Sequence, residues 1–335
     1  MKKFKLLNNK ILLGLNLLMI IIIIVLIFVI LKISPNKNIL SIKHDTNNAF
    51  LLTSPILDCG VSDNNSSSII FFKELRNKVN ELKNNNSLDL VSVYFRDLNN
   101  GLWVGVNEQE TFSPASLLKV PIFMALLKEA ESDKSIMDKK VIISQSDVNI
   151  ESHQNIPASK SLIVGGEYSL KDVSKFMIEQ SDNTAVSVLL NNINQDDIKN
   201  VFTSIGVPYK DLNTEINISV KDYAGFLRVL FNSSYLNREM SEIALSMLSH
   251  TQYNNGIVAG IPNKNIVIAH KFGERTINGQ KDSTQLHDCG IVYFPNKPYI
   301  ICVMTRGDNF SVQEKTIEEL SNYIYTQVLK NNTVN

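Results

Sequence analysis

Apolar residues recur every three or four positions from Ser68 to Asn84, where Ile69, Phe72, Leu75, Val79 and Leu82 share one face, and this spacing predicts a first amphipathic helix. Two strands follow. Leu90 to Leu98 and Leu102 to Val106 are rich in Val, Tyr, Phe and Trp, and Asn99, Asn100 and Gly101 between them give a hairpin signal. The period then turns helical over Ser116 to Glu131, Ser169 to Gln180, Asn183 to Ile193, Asp196 to Ile205, Ser219 to Phe231 and Arg238 to Leu248. No clearly alternating strand interrupts these segments. Strands return at Ile266 to Phe272, Asp288 to Phe294 and Tyr299 to Thr305, the last two joined by Pro295, Asn296, Lys297 and Pro298, and a helix from Ser311 to Leu329 closes the pattern.

This order implies an α/β chain of the α+β type: an antiparallel five-stranded sheet flanked by its terminal helices, with an all-helical subdomain inserted between strands two and three. A cleft is expected between the two parts. The predicted domain runs over residues 67–335.

Ahead of it, Ile11 to Leu31 is a run of 21 residues whose only polar side chain is Asn16, long enough at ~1.5 Å per residue to cross a hydrocarbon core of about 30 Å. Lysines 2, 3, 5 and 10 precede it, so residues 1–10 are expected to stay cytoplasmic and the rest of the chain to face outward. The run is long for a secretory signal, and Ile30, Leu31, Lys32 and Ile33 offer no small-residue cleavage site, so an uncleaved membrane anchor is expected. Residues 32–66 mix short apolar patches with Asn, Ser, Asp and Pro and read as a tether.

The 335 residues carry 33 basic and 33 acidic side chains. Five of the lysines lie within residues 1–34, which hold no acid, so the remainder is mildly acidic and poorly suited to binding nucleic acid through phosphates. Three cysteines, Cys59, Cys289 and Cys302, would face an oxidising exterior. An odd count leaves at least one thiol unpaired within the chain, and Cys289 and Cys302 read as buried strand cysteines. The five histidines show no zinc-binding spacing, and no G-x-S-x-G elbow or glycine-rich phosphate loop occurs.

Three short motifs carry the candidate chemistry. Ser113 and Pro114 suit a helix start, and beyond them Ser116 and Lys119 stand three apart, so that the amine can reach the hydroxyl on one face. A serine needs such a base to attack a carbonyl, and a lysine serves only once burial or a second cation removes its proton. The pattern alone is common; Ser34 and Lys37 repeat it in the tether. Ser181, Asp182 and Asn183 lie at a junction of two helices, where an ordinary helix cap is the blander reading. Lys271, Phe272 and Gly273 end an apolar strand, where glycine would let a substrate backbone approach the edge.

In this order the three motifs resemble the S-x-x-K, S-D-N and K-T-G signature of the penicillin-recognising serine enzymes, class A β-lactamases and the related penicillin-binding proteins. The resemblance spans about residues 67–330. It implies Ser116 as the acylated nucleophile, Lys119 as its proton partner and Ser181 as the relay to the leaving nitrogen. It further implies Asn183 on the substrate's amide side chain, Lys271 toward its carboxylate, and an oxyanion hole formed by the N–H groups of Ser116 and Glu274, the latter just after Gly273. Implied partners are a β-lactam or the peptidoglycan stem peptide it mimics, handled by a monomer that needs no metal or organic cofactor.

Two departures stand out. Phe272 replaces a hydroxyl residue, with Arg275 or Thr276 as candidate substitutes. In the loop that should read E-x-x-L-N, the chain has Pro208 to Asn217; aligning on Leu212 and Asn213 places Tyr209 at the glutamate position, while aligning on the acid selects Glu215 at the wrong spacing. The alternatives are therefore a carboxypeptidase or transpeptidase, and an envelope binding protein that keeps the fold without turnover.

Overall fold

A computed structural model describes residues 50–54, 66–148, 154–209, 215–276 and 284–332. The anchor at 11–31, the basic tail at 1–10, most of the tether, Cys59, Leu212 and Asn213 lie outside the described residues. Among the described residues, no helix is long and apolar enough to cross a membrane.

The chain opens with α1 (Ser66–Asn85), then β1 (Leu90–Asp97) and β2 (Trp103–Val106). The hairpin between them follows from Asp97, whose carboxylate accepts the N–H groups of Asn99 and Asn100, and from Gly101 at φ +75°. After β3 (Thr111–Phe112) and a 3₁₀ turn over Ala115–Leu118 come α2 (Lys119–Ser132), β4 (Lys140–Ile142) and β5 (Glu167–Ser169). Next are α3 (Leu170–Glu179), α4 (Asn183–Leu190), α5 (Gln195–Ser204), β6 (Ile218–Ser219), α6 (Val220–Phe231), α7 (Arg238–Leu248) and the single turn α8 (Ile257–Gly260). The chain closes with β7 (Ile268–Thr276), β8 (Thr284–Val292), β9 (Tyr299–Gly307) and α9 (Phe310–Asn332).

The sheet has the order β2-β1-β9-β8-β7, antiparallel throughout, so β7 is an open edge. Strand periodicity divides its faces. Val91, Val93, Phe95, Ile301 and Val303 pack with Leu75, Val79, Ile317 and Leu320 of the terminal helices, whereas Tyr94, Ile300 and Met304 join the core of the helical region. The inserted region is not purely helical. β3 pairs with β6 and β4 with β5, ladders of two or three residues too short to leave an alternating pattern in the sequence.

Two further expectations change. Part of the tether is docked: the Glu242 carboxylate accepts the backbone N–H groups of Leu51, Leu52 and Thr53 at 2.8–3.1 Å, Ser54 N donates to Phe231 O, and Arg238 stacks on Phe50. A single carboxylate with two oxygens holds three successive amides, a long-range pairing that local composition does not encode. Cys289 and Cys302 are buried, but they are not free thiols. They stand directly opposite each other on β8 and β9 and form a disulfide.

Candidate active site

The segment entering the Ser116 turn is pinned from the sheet. Ser113 N donates to Gln285 Oε1 at 3.0 Å, its carbonyl accepts from His287 Nε2 at 3.0 Å, and its Oγ accepts from Arg275 at 2.7 Å. Ser113 thus caps no helix, contrary to its sequence reading; Pro114 occupies the N-cap position of the 3₁₀ turn, which has no side-chain cap. Burial lowers the pKa of His287 to about 4, so the ring is neutral and Nε2 carries the donated proton. These side chains share the inward face of β7 and β8, and the alternation of Gln285, His287 and Cys289 was the available signal for them.

Ala115 takes φ +49°, a left-handed backbone that costs a non-glycine residue about 1–2 kcal/mol. The strain lies one residue before Ser116, where the surrounding hydrogen bonds hold the turn in place. Behind it, Tyr223 donates to Leu117 O at 3.2 Å.

Gly273 explains how the strand reaches this turn. A methyl group there would meet Pro114 O at 2.7 Å and Leu117 N at 3.1 Å. The glycine therefore permits close approach of the protein's own Ser116 turn. Glu274, the next residue, is brought to the same edge.

At the helix junction, the cap expected among Ser181, Asp182 and Asn183 falls to the middle residue. Asp182 is the cap: its Oδ1 accepts Thr184 N at 3.0 Å and its Oδ2 accepts Leu162 N at 2.8 Å. With capping done by the middle residue, Ser181 at φ +59° and Asn183 turn toward Lys119.

Lys119 Nζ donates to Ser181 O at 2.6 Å, to Asn183 Oδ1 at 2.7 Å and to Ser181 Oγ at 3.2 Å. Lys271 Nζ reaches the same Ser181 Oγ at 2.9 Å from the opposite wall. The structure thus brings Ser181, Asn183 and both lysines together. The direct Lys119 contact to Ser116 expected from their spacing is not made: among the described residues, no hydrogen bond reaches the half-buried Ser116 Oγ.

Both amines are cut off from water, with Lys119 3% and Lys271 0% exposed. Desolvation lowers the Lys119 pKa from 10.5 to about 7, against the opposing pull of Asp182 and Glu274. Burial pushes Lys271 well below the lysine range, and the charge of Lys119 adds to this. An amine that is half neutral near pH 7 can take a proton, and two amines sharing one hydroxyl can pass one on.

Of the loop candidates, Tyr209 packs its ring edge-on against Phe202 at 5.5 Å between centroids. Glu215, with its side chain 63% exposed, lies 3.5 Å from the Arg275 guanidinium.

Comparison with known proteins fits this arrangement. Residues 74–328 match the beta-lactamase enzyme family. The chain belongs to that family. As a member of the beta-lactamase family it is a serine hydrolase. It is 22% identical to beta-lactamase VEB-1 of Pseudomonas aeruginosa over 245 residues, covering 67% of this chain and 80% of that protein. A beta-lactamase of Proteus vulgaris is 26% identical over 211 residues, with 58% and 73% covered. Among solved structures, PBP-A superposes with a TM-score of 0.65 at 21% identity over 77% of this chain and 96% of its own. A beta-lactamase from Chitinophaga pinensis gives 0.66 at 20% identity over 76% and 99%. These likenesses establish the α+β fold with its five-stranded antiparallel sheet.

Proposed function

We propose that this chain is an extracytoplasmic serine acyl-transfer hydrolase, held to the membrane by residues 11–31, that opens β-lactam rings through an ester on Ser116. The observation that carries the reading is the convergence of two desolvated lysines on Ser181 Oγ beside the Ser116 turn. Neutral Lys119 takes the Ser116 proton as Oγ bonds to the carbonyl carbon, and the N–H groups of Ser116 and Glu274 hold the oxyanion. The intermediate collapses as the C–N bond breaks. Ser181 gives its proton to the leaving nitrogen and is resupplied by the lysines, while Asn183 holds the acyl side chain. The Cys289–Cys302 disulfide supports an oxidising, extracytoplasmic setting.

Deacylation is the slow half. Tyr209 is engaged with Phe202, and a phenol ionises near ~10, while Glu215 is turned to Arg275. That engagement favours one second reading, a penicillin-binding protein acting on stem peptides, for which a long-lived acyl-enzyme is the natural end point. The test is to mix the protein with a chromogenic cephalosporin and a fluorescent penicillin and follow turnover and intact mass. A burst of about one equivalent followed by slow turnover is expected, with labelling absent in Ser116→Ala. Labelling retained at full rate in Ser116→Ala would end the reading, and rapid hydrolysis with no detectable adduct would overturn slow deacylation.

A further inference from the structure

Resting on the reading of residues 11–31 as a membrane anchor, we infer that one end of the sheet lies on the lipid surface, with Leu51, Ile70, Trp103, Val267 and Leu329 entering the headgroup layer. These large apolar side chains are 41–75% exposed and come from separate stretches of the chain. An exposed hydrophobic side chain here and there is ordinary on a protein surface, whereas several gathered at one end mark a face that meets something other than water.

Strand register gathers them. Asp97 on β1 stands opposite Tyr299 on β9, Tyr299 opposite Val292 on β8, and Val292 opposite Ile268 on β7, so these residues form the last row of the sheet. Trp103 opens β2 opposite Arg96, next to that row, and Val267 is the residue just before Ile268. Leu51 is carried there by its neighbour: Tyr293 donates its N–H to Val267 O at 3.0 Å and its hydroxyl to Leu52 O at 2.9 Å. Ile70 adjoins Phe71, whose ring packs edge-on against Phe95 with centroids 5.3 Å apart. Leu329 lies one turn beyond Tyr325, which packs edge-on against Phe294 at 5.5 Å.

What this end meets follows from where the chain enters it. The Glu242 carboxylate fixes residues 51–53 here, so the free tether is residues 32–49, with an extended reach of at most about 60 Å. The tether therefore delivers this end of the sheet to the bilayer. The surrounding loops, 98–102, 261–267 and 293–298, carry Lys264 and Lys297 and no acid, and Asp97 beside them is engaged with the amides of Asn99 and Asn100. That balance suits anionic headgroups. Trp103 is the one tryptophan of the chain, and its amphipathic ring favours the boundary between lipid and water. Lys271 and Gly273 lie farther up β7 from Ile268, by about 10 and 17 Å along the strand, so docking of the last row holds the cleft at a set height above the headgroups.

The test reads Trp103 fluorescence in the full-length chain reconstituted into vesicles of phosphatidylcholine and phosphatidylglycerol, with and without a nitroxide on the headgroup. Only a tryptophan that comes close to the headgroups is quenched. Emission of the wild type is expected to fall by about half or more when the nitroxide is present. Leu51→Asp and Val267→Asp each set a carboxylate into the face at an exposed position and are expected to restore about half or more of the lost emission. Ile163→Asp makes the same change at an exposed residue on the turn beside β4 and is expected to leave quenching as in the wild type. A chain that floats with the vesicles yet keeps full Trp103 emission overturns the inference and spares the anchor. Quenching equal in the wild type, Leu51→Asp and Val267→Asp overturns it too, as does a loss of quenching in Ile163→Asp as large as in the other two variants. A chain that does not float with the vesicles removes the anchor reading, and this inference with it.

Discussion

Lowering the pH should slow acylation of this enzyme through one group, Lys119. Its ammonium loses hydration in the interior, which brings the pKa from 10.5 to about 7. At pH 7 about half of the molecules then hold the neutral amine, whereas an unshifted lysine would be neutral in about three of 10⁴, so the environment supplies roughly 10³-fold more of the reactive base. The shift corresponds to about 5 kcal/mol that the fold spends on keeping this group charged below pH ~7. The sign follows from linkage. Between about pH 7 and 10.5 the unfolded chain binds a proton that the folded one does not, so this group's contribution to stability rises with pH across that window and its cost is fully present below it. The acylation rate should therefore climb about tenfold per unit from pH 5, bend near pH 7 and level off by pH 8, as measured by quenched mixing with a fluorescent penicillin. Lys119→Arg, which keeps the charge but accepts no proton, should lose about 10²- to 10⁴-fold at every pH. A rate that stays flat from pH 5 to 9, or bends only above about pH 9, would refute the assignment of Lys119 as base.

Three further outcomes follow from the packing. Gly273→Ala drives a methyl group to within 2.7 Å of Pro114 O, so stability should drop by about 1–3 kcal/mol and acylation should slow as Glu274 N–H moves away; an unchanged melting temperature would contradict the close approach. Glu242→Gln leaves one acceptor oxygen for three amides and should cost about 1–3 kcal/mol, with faster hydrogen exchange at residues 51–53 and unchanged penicillin labelling; full protection of those amides would show that the docking does not depend on the carboxylate. Replacing both Cys289 and Cys302 by alanine opens a closed loop of 13 residues' separation and should cost about 3 kcal/mol, whereas in the native protein an alkylating reagent should leave Cys289 and Cys302 unmodified whatever it does at Cys59, as read by peptide mass spectrometry; alkylation of either without prior reduction would count against the disulfide.

The order of helices and strands was legible from the sequence because each element buries one face, and burial writes its period into the chain. The strand faces of Val91, Val93 and Phe95 against Tyr94 are the plainest case. The sequence also singled out Ser181, Asn183, Lys119 and Lys271, which the fold does bring together, because their short motifs keep a fixed local spacing. Tertiary structure decided what local pattern could not hold. Asp182 is the cap, which frees Ser181 and Asn183 for the cleft; three polar residues in a row give no sign of which one caps. The capture of residues 51–53 by Glu242, and of Ser113 by Arg275, Gln285 and His287, joins positions more than 150 residues apart. Cys289 and Cys302 bond because the register of β8 and β9 sets them face to face, and register is a property of the assembled sheet. Lys271 meets Ser181 only once the sheet edge packs on the helical region, and the burial that lowers its pKa arises there, so the charge of the most recognisable lysine in the sequence was the feature the sequence said least about.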